Sequence, residues 1–269
     1  MSKVRDTYTH GHHESVLRSH RWRTAENSAA YLLPHLAPGQ SLLDIGCGPG
    51  TITLDLARKV APGVVVGVDR VEPPLETARA DAAAAGVANV RFESGDVYAL
   101  PFPDASFHIV HAHQVLQHLT DPVAALIEMG RVCTPGGILA ARESDYAAMT
   151  WFPALPLLDR WLALYEAIAR GNGAEPDAGR RLLSWARAAG FEDVASSAST
   201  WCFATPEDRA WWGGTWADRV TTSAFADQAL DRGLSDAVEL AGIAAAWRDW
   251  AGRADGWFTV LHGEVICRR

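Results

Sequence analysis

The most constraining stretch of this chain is Leu42-Leu43-Asp44-Ile45-Gly46-Cys47-Gly48-Pro49-Gly50-Thr51. A short apolar run ends in an acid, three glycines alternate, and a helix-compatible segment follows. Strand, glycine turn and helix in that order open a ligand site at the carboxyl edge of a sheet, because glycines let a ligand approach the backbone closely. The spacing is GxGxG, and Thr51 stands where a dinucleotide loop would carry its last glycine. Asp44 would also repel a pyrophosphate. The loop therefore predicts a nucleoside ligand that lacks phosphates and carries positive charge.

Short apolar runs alternate with helical stretches on either side of this loop. Ser41–Ile45, Val64–Asp69, Val90–Glu93, Phe107–His111 and Ile138–Glu143 are predicted strands. Thr51–Val60, Pro74–Ala85 and Pro122–Val132 are predicted helices, and Thr24 is placed to cap another over Ala25–Leu36. Apolar strands between helices require a buried, mostly parallel sheet with helices on both faces. The second half differs, because ten of the eleven Trp follow residue 150. There Tyr146–Gly171 and Pro206–Asp255 read as helical, Gly179–Ala189 as a sheet-covering helix, and Val194–Phe203 and Gly256–Arg269 as strands. The expected fold is Rossmann-like α/β, a doubly wound, mostly parallel seven-stranded sheet with helical cap insertions. Residues 1–40 form an N-terminal lid and 41–145 the core; 146–178 and 206–255 are cap insertions, with core resuming at 179–205 and 256–269.

Charge narrows the partners. With 24 Lys+Arg against 32 Asp+Glu and no basic patch, the chain lacks the cationic face that binds nucleic acid. Cys47, Cys133, Cys202 and Cys267 form no CxxC pair, so neither a zinc site nor a disulfide framework is expected. His10-x-His12-His13 has no carboxylate or Cys set at ligand spacing, and no metal is expected. No apolar run reaches the length of a membrane span and no secretory signal is visible, which predicts a cytoplasmic protein; between monomer and homodimer the sequence does not choose.

Asp44-x-Gly46-x-Gly48-x-Gly50 resembles motif I of the class I S-adenosylmethionine (SAM) methyltransferases. The likeness continues in order through Asp69, Gly95-Asp96-Val97, Phe107-His108-Ile109-Val110, Val115-Leu116-Gln117-His118-Leu119 with Asp121-Pro122, and the turn ending Pro135-Gly136-Gly137. It is closest to the small-molecule branch, the quinone-biosynthesis and natural-product enzymes. Tyr8-Thr9-His10-Gly11 with Ser19-His20-Arg21-Trp22-Arg23-Thr24 is also similar to fungal thiol methyltransferases of dithiol metabolites. The resemblance implies SAM as cofactor and S-adenosylhomocysteine (SAH) as product. It implies cofactor contacts from Asp44, Gly46, Cys47, Gly48 and Gly50, from Asp69 at the ribose with Arg70, and from Asp96 with Val97 at the adenine. Tyr8 and Arg23 would meet the methionine carboxylate, with His113 beside the methionine moiety. The Asp/Asn-Pro-Pro-aromatic motif of nucleobase amino-methyltransferases is replaced by His111-Ala112-His113-Gln114.

Methyl transfer needs an acceptor held in line and, for a weakly acidic acceptor, a base. His113 with Glu143 is the candidate base pair, against the alternative that His113 shapes the pocket and Glu143 makes a structural hydrogen bond. Gln114, His118, Trp151 and Trp212 are candidate acceptor contacts, and the Trp-rich cap suits a flat or greasy small molecule. Two other readings stay open, a SAM-binding module without methyl transfer and an RNA or protein methyltransferase.

Overall fold

A computed structural model describes Asp6, Thr9 and residues 19–269. Seven strands form one sheet in the order β3-β2-β1-β4-β5-β7-β6. The strands are β1 (Leu42–Ile45), β2 (Val65–Asp69), β3 (Val90–Ser94), β4 (Phe107–His113), β5 (Cys133–Phe152), β6 (Asp193–Phe203) and β7 (Trp257–Arg268). The first five pair in parallel, whereas β7 runs antiparallel to both β5 and β6. The strand order reverses between β1 and β4, and ligands of open α/β sheets bind at such a switch point.

Alternation along the strands sorts two cores. Leu43, Val66, Val110 and Leu139 pack on one face beneath helices Pro122–Val132 and Leu182–Ala188. Leu42, Val65, Ile109 and Ala140 pack on the other, against helix Thr51–Val60 and the short helix Ala25–Ser28. Thr24 caps that short helix through a capping box with Asn27, as expected. The helix does not run on to Leu36, however. It ends at Ser28, and a 3-10 turn (Leu33–His35) takes over where Pro34 lacks the N–H that an α-helix needs.

The cap differs from expectation at one end. Tyr146–Phe152 is not helical. It continues β5, pairing Thr150 with Thr259, Trp151 with Phe258 and Phe152 with Trp257. A register shift between Asp145 and Thr150 bulges the strand there, which re-aims side chains locally. Helix begins only at Pro156, running to Gly171. Helices Pro206–Thr222, Ala224–Asp231 and Ala237–Gly252 complete the cap. Its core centres on Trp161, Trp216, Trp247, Trp250 and Phe258, all fully buried. No described helix is long and apolar enough to cross a membrane.

Candidate active site

The glycine loop takes its shape from left-handed backbone. Gly46 has φ +63°, and a Cβ there would fall 2.4 Å from Val115 Cγ2. Gly50 caps the following helix at φ +79°, and a Cβ there would strike Ala78 and Phe92. Asp69, at the tip of β2, ties the loop down: Gly48 N–H donates to its Oδ2 at 2.9 Å and Val71 N–H to its Oδ1 at 3.2 Å. Asp44 is buried and accepts from Thr53 Oγ1 at 2.5 Å and from His111 Nδ1–H at 2.7 Å. Asp96 Oδ1 accepts from Tyr98 N–H, which turns the loop after β3.

These groups line a cavity of about 700 Å³ over the carboxyl ends of the strands. Its two halves differ. The strand-tip half holds Gly46, Cys47, Gly48, Asp44, Asp69, Arg70, Asp96 and Val97, with Asp6 and Asp121 beyond. The cap half is an arc of rings. Trp201 lies 5.7 Å from His113 and 5.2 Å from Trp22; Trp22 lies 5.1 Å from Trp211, Trp211 5.9 Å from Trp212, and Trp212 6.0 Å from Trp216. Tyr146 and Met149, in the β5 bulge, and Val260 on β7 close the wall.

His113, Gln114, His118, Arg23 and Trp212 all face this cavity. Gln114 follows β4 in the left-handed region at φ +53°, a strain that tends to mark functional positions. Its carbonyl oxygen accepts from Arg23 Nη2 at 2.7 Å, and its amide nitrogen donates to His262 Nε2 at 2.9 Å. His118 is held by Gln117, whose amide nitrogen lies 3.0 Å from its Nε2, and burial pushes its pKa down to about 3.

Three expected residues lie elsewhere. Gly50 faces Ala78 and Phe92, off the cavity, so its place in the loop follows from packing. Trp151 stacks on Phe258 at 5.6 Å within the cap core. Glu143 is fully buried, and both its oxygens are engaged by the backbone N–H groups of Val115, Leu116 and Gln117. No hydrogen bond joins it to His113, whose two ring nitrogens have no partner and whose pKa is held well below 6.5 by burial and by Arg23 and Arg142. Tyr8 and the histidines at 10, 12 and 13 lie outside the described residues.

Burial raises the Glu143 pKa to about 7, against the pull of its three amides. The fold thus favours the protonated acid. The Glu143 contribution to stability is full below the unfolded value near 4.5 and is lost as pH rises through about 7. Glu143→Gln removes that titration. Relative to the parent it should gain roughly 3 kcal/mol between about pH 4.5 and pH 8, read by urea denaturation. A difference independent of pH would contradict this.

His262, Arg219, Ser144 and Tyr146 are cavity or network residues that no motif in the sequence signalled. His262 is brought to the site by the antiparallel pairing of β7, which pairs it with Ser144. Arg219, 3% exposed, comes from the helix Pro206–Thr222 and lies 4.6 Å over the Trp216 ring.

A family profile described as a methyltransferase domain matches residues 36–190. An uncharacterized methyltransferase of Schizosaccharomyces pombe is 38% identical over all of this chain and 99% of its own length. The probable methyltransferase ltbC of Aspergillus luteorubrus is 30% identical, over 97% of this chain and 96% of its own. Among solved structures, the YcgJ protein of Bacillus subtilis superposes with a TM-score of 0.57 over 91% of this chain and 99% of its own, at 23% identity. That last likeness is one of fold.

Proposed function

We propose that this chain, which belongs to the class I SAM-dependent methyltransferases, methylates a small, flat aromatic or heterocyclic metabolite in the cytoplasm. The observation that carries this reading is the division of one cavity into an acid- and glycine-lined half and an indole-lined half. SAM is the cofactor, and the first half fits it. Gly46 and Gly48 keep the floor clear of side chains, and Asp44 and Asp69 offer carboxylates where a phosphate would be repelled. In this reading Asp69 and Arg70 hold the ribose end, Asp96 and Val97 the adenine, and Arg23 the methionine carboxylate, to which a guanidinium fork is matched.

When bound, SAM supplies a methyl group made electrophilic by its sulfonium. The chain's part is placement and exclusion of water, which together lower a barrier by about 7–11 kcal/mol in well-oriented cases. The indole arc presses a flat acceptor toward the glycine loop. Gln114, pinned between Arg23 and His262, fixes the junction of the two halves. His113 stands beside the acceptor as a neutral ring with free nitrogens, while Glu143 holds the loop after β4 and makes no hydrogen bond to His113. This departs from a His113–Glu143 base pair and favours acceptors that need little base help.

The test is SAM-to-SAH turnover over phenols, thiols, carboxylates, amines and heteroaromatic nitrogens, with SAH calorimetry on the same sample. Turnover confined to one small-molecule class is the expected result. SAH binding with no turnover on any class would support a module that binds SAM without transferring methyl. Turnover on RNA or protein alone would move the acceptor to a polymer.

A further inference from the structure

We infer that His111 is a positioning residue for the cofactor: from β4 it fixes the Asp44 carboxylate that receives the cofactor's α-ammonium. This rests on the cofactor half of the reading above. The strand order reverses between β1 and β4, and the ladder sets His111 directly beside Asp44. On that face the neighbouring positions Leu42, Ile109 and Ala140 are apolar core. A wholly buried histidine among them is costly unless its polar atoms are used. One of them is used, because Nδ1 meets Asp44 Oδ1 at 2.7 Å. The other, Nε2, has no partner among the described residues. The ring proton therefore sits on Nδ1, since the opposite tautomer would turn a lone pair on the carboxylate and bury an unpartnered N–H.

Thr53, buried on the helix Thr51–Val60, donates to the other carboxylate oxygen at 2.5 Å. Each Asp44 oxygen thus has its own donor. Asp44 lines the cavity, whereas neither His111 nor Thr53 does. The pair acts on the ligand only through the carboxylate it holds. A carboxylate accepts about four hydrogen bonds, so two donors leave room for a ligand's. A charge locked by buried donors also binds more tightly than one that must first be ordered. Asp69 and Asp96 are assigned to the uncharged nucleoside and Arg23 to the carboxylate. In SAH, which has no sulfonium, the α-ammonium is then the one cation left for Asp44.

Calorimetry of SAH against 5′-methylthioadenosine separates this role from support of the fold. The second ligand keeps the adenine, ribose and thioether and lacks the amino-acid charges. His111→Leu should bind SAH about tenfold more weakly, the order of one hydrogen bond to a charged group, and 5′-methylthioadenosine within about twofold of the parent. His111→Phe, which keeps a flat ring in the space, should repeat that selective loss and serves where Leu leaves too large a cavity. His111→Asn, whose amide nitrogen falls near the position of Nδ1, should recover most of the SAH affinity. Asp44→Asn should lose more than His111→Leu, and combining the two should cost little further. Equal losses for the two ligands would show that His111 only supports the fold. Additive losses in the double variant would show that it does not act through Asp44. Either result overturns the inference while the cofactor site stands. A parent that binds neither ligand would overturn the cofactor placement and the inference with it.

Discussion

Asp69→Ala should bind SAH at least about 100-fold more weakly than the parent in calorimetry, since hydrogen bonds to a charged group contribute about 1.5–3 kcal/mol each. Two effects combine. The carboxylate holds the glycine loop through Gly48 N–H and Val71 N–H, and Asp69 lines the cavity where the ribose is assigned. Asp69→Asn separates them. Its carbonyl oxygen replaces one acceptor, but its NH₂ opposes whichever N–H it faces, so an intermediate loss is expected. SAH affinity within about threefold of the parent for Asp69→Ala would remove the ribose assignment.

Arg142→Met should cost about 3–5 kcal/mol of folding stability, because it strands a buried carboxylate. Arg142 on β5 and Glu264 on β7 face each other across paired strands, 1% and 4% exposed, with Arg142 Nε 3.2 Å from Glu264 Oε1. Ser197 and Ser199 also donate to Glu264, which completes its shell. Burial outweighs that pairing for the arginine, whose pKa is lowered to about 10. The pair is therefore costly to build and costlier to halve. Glu264→Gln added to Arg142→Met should recover more than half of the loss, since no bare charge then remains. Urea unfolding of the two single variants and the double variant measures the coupling. Additive losses would show that the two charges act independently.

The parallel core was legible because its information is local. Each of β1, β2 and β4 is a short apolar run, and Gly46, Gly48 and Gly50 sit where strand must turn into helix. Asp44 and Asp69 were legible for the same reason, as acids at the ends of apolar runs. The far end of β5 was not. Tyr146-Ala147-Ala148-Met149 has helix-forming Ala and Met, and the strand exists because β7, more than 100 residues later, pairs with it. Trp151 was misplaced with it: as strand its ring stacks on Phe258 and leaves the cavity. Glu143 was named from the sequence as a candidate base beside His113, with a structural hydrogen bond as the alternative. Its commitment to three backbone N–H groups depends on the turn Leu116–His118, whose path no residue pattern reveals. Arg219 and His262 carry no motif at all. One is the second of two arginines in an aromatic helix and the other a lone histidine in a terminal strand, and only the closed cap makes them neighbours of the acceptor site.

In the proposed reading one cavity serves two ligands, cofactor over the glycine loop and acceptor within the indole arc. A crystal structure of the SAH complex tests it most directly. Adenosyl density is expected over Gly46–Gly48 with the ribose at Asp69 and the adenine at Asp96, and an open space bounded by Trp22, Trp201, Trp212 and Trp216. Adenine stacked among those indoles, with the glycine loop bare, would contradict it.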